Sequence, residues 1–327
     1  MKITQINELI YDINDEIIEI LLKDRNTNKN IIFATDNYSK KGFEETTEIR
    51  IEFLKNRKRA LIRSRIDKSK EEQRIRSKEK AEVFTPSWVC NKQNNLVDNA
   101  WFNRENVFNI ETEKSWKTNY DKIDFSSTNK TWEDYVKDVR LEISCGEAPY
   151  LTSRYDTVTG QFIQVKDRVG MLDRKLRVVS ENCDLEEDWI KWAIIAYKST
   201  YGYEFQGDNL LIARENLLFT FIDYFAYKFN SQPNDELLKE IANIISFNVF
   251  QMDGLKFVVP FSCKNVKSTQ YIMTNIFGEE EIIGEPETKC PGCAKNSIYE
   301  HNGKYCYVMD WEQNKKVKFV SLLRGAM

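Results

Sequence analysis

Apolar positions follow two kinds of spacing between residues 140 and 260. Short runs rich in β-branched and aromatic residues predict strands at 140–144, 202–206 and 244–251. The segment "DNLLIARENLLFTFIDYFAYKF" has helical spacing and Asp208 as its predicted N-cap, and "EEDWIKWAIIAYK" predicts another helix. Strands that alternate with helices predict an α/β fold, a Rossmann-like parallel sheet with helices on both faces.

The same patterns divide the chain into three predicted regions. Residues 1–80 are predicted to be mainly helical after a short strand near 30–34 and to end in a basic helix. Residues 81–260 form the predicted α/β domain, which starts with a turn and an amphipathic helix whose predicted N-cap is Ser87. Residues 261–327 form a small cysteine-bearing tail, predicted to resemble a zinc ribbon.

Composition narrows the class of protein. A chain of 327 residues with 41% hydrophobic residues is globular and long enough for a sizeable core. No apolar run is long enough to span a bilayer, and acids stand where a signal peptide would be apolar. Seven cysteines, an odd number, fit a reducing compartment. We therefore expect a cytoplasmic protein with no membrane partner.

Charge is unevenly distributed along the chain. The net charge is −3, yet residues 55–80 carry twelve Lys or Arg against four acids. A solvated helix face is one interpretation, and a surface for DNA phosphates is the other. Leu54, Leu61, Ile62 and Ile66 predict that one face of this helix is docked. The phosphate-binding candidates are Arg57, Lys58, Arg59, Arg63 and Arg65.

The stretch "LEISCGEAPYL" predicts a strand that runs directly into a tight glycine turn. In open α/β sheets, ligands bind at the carboxyl ends of the strands. The dinucleotide fingerprint and the glycine-lysine phosphate loop are both absent from the sequence. A ligand with an amino-acid end and a ribose is therefore favoured over a pyrophosphate, and a plain strand-to-helix turn is the alternative.

Three further stretches add candidate ligand-binding residues. In "EVFTPSW", Phe84-Thr85-Pro86 form a turn ahead of a helix. In "YGYEFQGD", Glu204 ends a strand, a position suited to binding two ribose hydroxyls. In "NVFQMDGL", Asp253 follows a strand and can accept a hydrogen bond from an adenine amine.

In this order, these stretches resemble the S-adenosylmethionine-binding half of amino-group DNA methyltransferases. They are most similar to the adenine-N6 modification (M) subunits of restriction–modification systems. The resemblance implies that the methionine end of the cofactor lies between the Phe-Thr-Pro turn and the glycine loop. It implies these cofactor-binding residues: Phe84, Thr85, Pro86, Glu142, Cys145, Gly146, Glu204 for ribose and Asp253 for adenine.

The chain departs from that family in two respects. The interval between Gly146 and Glu204 holds an extra hairpin and helix. The family's catalytic Asn-Pro-Pro-Tyr motif, which grips a flipped-out base, is absent, and the nearest candidate is Pro260-Phe261. We therefore expect a second protein subunit, or a further segment, to complete the active site.

Cysteine spacing in the tail predicts a metal site. Cys290, Cys293, His301 and Cys306 supply the Cys₃His set of a structural zinc site. Cys263 can replace one of these ligands. A reduced, metal-free turn is the alternative, and a redox Cys-x-x-Cys lacks the strand that normally precedes it.

Together these features predict an enzyme subunit or fragment that binds S-adenosylmethionine for adenine-N6 methylation of DNA. Methyl transfer of this kind requires alignment of amine and methyl group more than acid–base groups. One alternative is a catalytically inactive methyltransferase-like subunit that binds DNA or assembles with other proteins. Another is a methyltransferase that acts on RNA or protein.

Overall fold

The computed structural model describes residues 13–54, 61–80, 82–267, 271–274, 280–283 and 287–323. The chain divides into two compact units, Met1–Gln251 and Met252–Met327. The division falls earlier than the predicted boundary at residue 260, and residues 1–80 belong to the same unit as the predicted α/β segments. Among the described helices, none is both long and apolar enough to cross a membrane.

The first unit mixes helices with short strands. Its helices are α1 Asp15–Leu22, α2 Lys70–Lys80, α3 Ser87–Phe102, α4 Trp132–Lys137, α5 Met171–Asn182, α6 Glu186–Lys198, α7 Gly207–Phe229 and α8 Asp235–Asn248. Its strands are β1 Asn109–Glu111, β2 Trp116–Thr118, β3 Arg140–Glu142, β4 Thr200–Glu204 and β5 Val249–Gln251. Short 3₁₀ helices cover Asp36–Lys41, Ile51–Phe53, Arg65–Asp67 and Val165–Asp167.

A parallel sheet lies at the centre of the candidate site. Among the described residues it has three strands in the order β3-β4-β5, and β1 and β2 form a separate antiparallel pair. Glu142 lies opposite Gly202, and Glu204 lies opposite Gln251. Because parallel strands point the same way, Glu142, Glu204 and Gln251 end at one edge of the sheet, called the carboxyl edge below.

Helix α7 is the core helix of this unit. Every residue from 207 to 221 is buried, which is typical of a helix enclosed on all sides. Asp208 was predicted as its N-cap, but the N-cap is Gln206 and Asp208 lies inside the helix. The predicted N-cap Ser87 is likewise the first residue of α3, because Pro86 occupies the cap position.

The third strand prediction is wrong over most of its length. Residues 244–248 form the last turns of α8, and only 249–251 are strand. The stretch "IISFNVF" is buried except at Phe247 and is rich in β-branched and aromatic residues. Such short apolar runs do not distinguish helix from strand. The helix predicted from "EEDWIKWAIIAYK" is confirmed with the same bounds as α6.

Ile32 and Phe33, near the start of the chain, form backbone hydrogen bonds at the carboxyl edge of the sheet. The Gln251 side chain accepts the Ile32 N–H at 3.0 Å and donates to the Ile32 carbonyl at 2.8 Å. The Gly207 N–H donates to the Phe33 carbonyl at 2.9 Å. A Cβ at Gly207 would lie 1.9 Å from the Ile32 oxygen, so this close approach requires glycine. The predicted strand near 30–34 is present only as isolated bridges, such as Ile32 with Glu48.

The predicted basic helix is shorter than expected, since α2 begins at Lys70. The helix contacts the rest of the unit through Arg76, which is buried. The Arg76 guanidinium pairs with Glu82 at 2.7 Å and with Asp208 at 2.8 Å. Tyr38 donates a hydrogen bond to the same Asp208 at 2.8 Å. All of these side chains are buried, and breaking a buried pair typically costs about 3–5 kcal/mol. Of the four aliphatic residues predicted to form its docked face, Leu54 and Ile62 are buried and Leu61 and Ile66 are half-buried, but all four precede the helix.

One face of β3 is exposed. Val139, Leu141 and Ile143 are 67%, 40% and 66% exposed. The alternating Arg140 and Glu142 are buried, so the strand is covered on one face among the described residues. The sequence predicted a parallel sheet covered by helices on both faces, and at β3 the described residues cover only one.

The second unit is built from small antiparallel pairs. Its elements are β6 Val266–Lys267, β7 Tyr271–Thr274, β8 Glu280–Ile283, β9 Glu287–Thr288, α9 Pro291–Lys295, β10 Tyr307–Asp310, β11 Lys315–Lys318 and α10 Phe319–Leu322. Strand β6 pairs with β9, β7 with β8 and β10 with β11.

We expect Glu215→Gln to stabilise the protein at alkaline pH. Burial, reinforced by the nearby Glu147, raises the pKa of the Glu215 carboxyl from 4.5 to about 8. The folded state therefore holds this proton more tightly than the unfolded state, and its contribution is lost as pH rises from 4.5 to about 8. Thermal melts at pH 5 and pH 9 should show the advantage of the variant growing by a few kcal/mol.

Glu187→Gln, an exposed carboxyl on α6, is the matched control and should follow the native profile at both pH values. If the stability of Glu215→Gln and of the native protein changes equally between pH 5 and pH 9, the pKa of Glu215 is not raised. The buried carboxyl would then be ionised in the folded state.

Candidate functional site

The turn after β3 is unusually tight. Ser144, Gly146 and Ala148 all have positive φ, at 48°, 56° and 61°. No atom lies within 4 Å of the position of a Cβ on Gly146, so the space beside this turn is open. A non-glycine residue there would be strained by its φ rather than by a neighbour.

Glu142 stabilises the far side of this turn. Its carboxylate accepts the N–H groups of Leu151 at 3.1 Å and Tyr150 at 3.4 Å. Burial raises the pKa of the Glu142 carboxyl well above its usual value, while these hydrogen bonds oppose that shift. Glu142 therefore shapes the turn from inside the protein.

Glu204 contacts the same turn from the neighbouring strand. Its carboxylate accepts the Gly146 N–H at 2.8 Å and the Gln206 N–H at 3.0 Å. Burial raises the pKa of this carboxyl as well, and only 7% of the residue is exposed. The side chain predicted to bind a ribose is thus bonded to the turn itself.

The Phe-Thr-Pro turn lies beside these residues. The Thr85 side chain shares a hydrogen bond with Tyr150, which follows the glycine turn. The Arg65 guanidinium stacks on the Phe84 ring at 4.3 Å, and the Arg65 N–H donates to Glu147 at 2.6 Å. The structure therefore brings together two segments about sixty residues apart in sequence.

Cys145 is enclosed within this region. The residue is 2% exposed, and a Cβ at Gly202 would lie 3.4 Å from its sulfur. Burial raises the pKa of the thiol well above its usual value, with Glu142 and Glu204 adding to the shift. Cys145 fills space between β3 and β4 as a neutral thiol.

Several buried polar atoms along α7 have no partner among the described residues. On α7 they are the side-chain oxygens of Asn209, Asn216 and Thr220, and the ammonium nitrogen of Lys68, outside this helix, is another. The Asn216 amide donates to the carbonyl of Glu147, so this helix face adjoins the glycine turn. The sequence indicates this shared face, because Asn209 and Asn216 are seven residues, about two helical turns, apart.

Asp253 belongs to the second unit. Its carboxylate accepts the N–H groups of Leu255 at 3.1 Å and Lys256 at 3.2 Å, and pairs with the Lys256 ammonium at 3.0 Å. The predicted adenine-binding acid thus caps its own turn. Pro260 is buried, while Phe261 is 48% exposed with a φ of 58° and lies two residues before Cys263.

The predicted phosphate-binding residues have different surroundings. Arg57, Lys58 and Arg59 lie outside the described residues. Arg63 pairs with Glu72 at 2.9 Å, and Arg65 stacks on Phe84. The cations that α2 exposes were not predicted individually, although they recur at every fourth position: Lys70, Arg74 and Lys78. We call these three the basic stripe.

A metal-ligating cluster forms in the second unit, with a correction to the predicted set. Cys263, Cys290, Cys293 and His301 place their ligand atoms within 4.8 Å of one another. Cys306 is not in this cluster. It is fully buried, and its backbone bonds to Phe257 and Phe319.

The geometry of the cluster suits a tetrahedral ion. The three sulfurs of Cys263, Cys290 and Cys293 lie 3.6, 3.6 and 3.7 Å from His301 Nδ1. A tetrahedral ion with the usual Zn–S and Zn–N bond lengths would separate sulfur and nitrogen by about 3.5 Å. These four residues can therefore hold a metal ion.

Glycine and a backbone hydrogen bond shape this cluster. A Cβ at Gly292 would lie 2.6 Å from both the backbone nitrogen and the ring Nδ1 of His301, so glycine lets the histidine approach. The Asn302 N–H donates to the Cys290 sulfur at 3.3 Å, which favours a thiolate there.

Comparison with known proteins yields no relative: no family model, curated protein or solved structure matches the chain.

We expect metal binding to depend on Cys263 and not on Cys306. Cys263→Ala removes one of four ligands, so the purified variant should lose most of its bound metal during dialysis against a chelator. Cys306→Ala should retain about one equivalent per chain. Elemental analysis of the native protein and both variants measures this. If Cys263→Ala keeps its metal and Cys306→Ala loses it, the ligands are instead the four residues predicted from the sequence, with Cys306 in place of Cys263.

Proposed function

We propose that the chain is a modification-type subunit that binds S-adenosylmethionine for adenine-N6 methylation of DNA. The observation that carries the proposal is the hydrogen bond from the Gly146 N–H to Glu204, next to the Phe84-Thr85-Pro86 turn. It gathers three separate sequence stretches at the carboxyl edge of a parallel sheet, where α/β proteins bind ligands.

The open space beside Gly146 is the proposed cofactor position. The unpartnered oxygens of Asn209 and Asn216 and the Lys68 ammonium lie along the adjoining helix face or beside Glu147. Buried polar atoms are normally hydrogen-bonded, so their partners here are expected to be water or a polar ligand. An amino-acid end with both charges suits such a mixture of donors and acceptors.

Glu204 takes a different role from the one the resemblance implied. Because its carboxylate is bonded to Gly146 and Gln206, we assign it to holding the turn in its binding shape. Contact with a ribose would require Glu204 to exchange one of these bonds. Asp253 is assigned no cofactor contact, since its carboxylate caps its own turn.

The catalytic motif is expected from another polypeptide or segment. The Asn-Pro-Pro-Tyr sequence is absent from the chain. The exposed face formed by Val139, Leu141 and Ile143 offers a surface where further structure can pack beside β3. Adding the missing elements there would place a catalytic strand next to the glycine turn.

DNA is the proposed substrate because of two surfaces. The basic stripe on α2 presents cations at the spacing of one helix face. A groove of about 790 Å³ beside Pro86 is lined by aromatic and basic side chains and by two acids, Asp156 and Asp167. These include Trp88, Trp116, Tyr120, Lys114 and Lys117. Aromatic rings with neighbouring cations are typical of surfaces that contact bases and phosphates.

For the metal cluster we propose zinc in a structural role. Three thiolates and one imidazole complete a tetrahedral shell, which leaves no open position for catalysis. The cluster joins Cys263, at one end of the unit's sequence, to Cys290, Cys293 and His301. Zinc there would stabilise a unit that has few long elements.

The alternative is a scaffold that keeps the fold without binding the cofactor. It is favoured by the internal hydrogen bonds of Glu142 and Glu204, which leave both carboxylates without need of a ligand. The experiment below separates the two functions.

We expect calorimetric titration to detect S-adenosylmethionine binding that Glu204→Gln weakens at least tenfold. The amide would turn an N–H toward Gly146 or Gln206, which both need an acceptor, so the turn would be distorted. Glu187→Gln is the isosteric control on an exposed site, and melting curves should show that all three proteins are folded. If the native protein does not bind S-adenosylmethionine, the proposed function is wrong and the scaffold function remains.

We expect the basic stripe to set the salt dependence of DNA binding. Changing all three residues to Gln should lower the slope of log K against log salt by about 2 to 3. The measurement is fluorescence anisotropy with a labelled duplex at several salt concentrations. The control changes three exposed lysines elsewhere in the first unit to Gln: Lys122, Lys130 and Lys137. Equal slopes for the two triple variants would remove α2 from the DNA-binding surface.

A further inference from the structure

A second cavity borders the C-terminal half of α7, where Phe219, Ile222, Asp223 and Ala226 contribute to its wall. Its volume is about 460 Å³, within the range of small-molecule sites. Much of its wall is apolar and includes Ile17, Phe162, Phe219, Ile222 and Leu238. The charged residues on its wall are Arg154, Arg168, Asp223 and Asp235.

Two buried guanidinium groups share a single carboxylate in this wall. Arg154 Nε and Arg168 Nη2 both donate to the same Asp223 oxygen, at 2.8 and 2.6 Å. The two arginines are 3% and 8% exposed. The Nη1 atom of each has no hydrogen-bond partner among the described residues. Arg168 Nε also donates to the Ile163 carbonyl at 3.3 Å, and the Arg154 guanidinium lies over the Phe219 ring at 5.0 Å. Neither contact involves an Nη1 atom, so each of these buried arginines still lacks one acceptor.

Other acids nearby do not supply that acceptor. Asp235 accepts a hydrogen bond from Asn14 at 2.9 Å and stands at the N-terminus of α8, where the helix dipole favours its charge. Burial raises the pKa of Glu215, another acid near Arg154, to about 8, so its carboxyl is mostly protonated at pH 7. Asp173 accepts hydrogen bonds from Ser153 and Gly170 through one carboxylate oxygen; its other oxygen has no partner among the described residues, and neither arginine donates to it.

We propose that this cavity binds a small organic anion, a single carboxylate on an apolar body. The carboxylate would accept hydrogen bonds from Arg154 and Arg168, and the apolar body would lie against the aliphatic and aromatic wall. Guanidinium groups match a carboxylate in shape and charge, and the apolar wall disfavours a strongly hydrated ion such as free phosphate. The proposal goes beyond cofactor binding and does not depend on it.

Octanoate is the probe, and octan-1-ol is its neutral counterpart of equal chain length. We expect calorimetric titration to show octanoate binding at least tenfold more tightly than octan-1-ol. Arg168→Met should remove this preference by weakening octanoate alone. The variant should fold, because it leaves Arg154 and Asp223 as an ordinary one-to-one pair.

Two further variants complete the design. Ala226→Trp fills the cavity from α7 and should weaken both ligands. Arg104→Met removes a surface arginine that pairs with Asp124 and should change neither titration. The proposal is overturned if octanoate does not bind, if octan-1-ol binds equally well, or if Arg168→Met keeps the preference. Melting curves show whether each variant is folded. If Arg168→Met does not fold, the Ala226→Trp titration and the comparison of octanoate with octan-1-ol test the proposal.

Discussion

Two carboxyl groups buried at one edge of a small parallel sheet hold the candidate site in shape. Glu142 and Glu204 each accept two backbone N–H groups, and the Gly146 turn lies between them. Burying a carboxyl is unfavourable, which is why the pKa of each is raised. An unmet buried N–H costs about 1–3 kcal/mol, so loss of either acid would release a turn whose residues have positive φ.

The same use of buried polar groups joins the start of the chain to the sheet. Arg214, inside α7, donates to the carbonyls of Leu21, Lys23 and Val249. Because a guanidinium has five N–H donors, one side chain can satisfy carbonyls at the end of α1 and at β5 together. Polar residues in this core helix therefore act as connectors, and residues 1–80 belong to the same unit as the sheet for that reason.

Local sequence patterns predicted the elements whose ends are set by nearby residues, such as charged side chains in the first and last turns of a helix. Helix α6 has acids in its first turn and Lys198 in its last, and its predicted bounds are confirmed. Contacts between residues far apart in sequence could not be predicted from such local patterns. Asp208 has the chemistry of an N-cap, but Arg76 lies more than 130 residues earlier and draws it into a buried pair. Spacing equally could not distinguish Cys263 from Cys306 as the fourth ligand, since only folding brings Cys263 to His301.

The exposed face of β3 limits what a completing partner can be. Among the described residues β3 is an outer strand of the sheet, and an added strand could pair with its outer edge, where N–H and carbonyl groups are available. A strand alone would still leave Val139, Leu141 and Ile143 in water, because those side chains point out of the sheet plane. Covering them requires a helix or loop packed on the same face. The proposed partner must therefore contribute a strand together with a covering element, the unit from which parallel sheets are built.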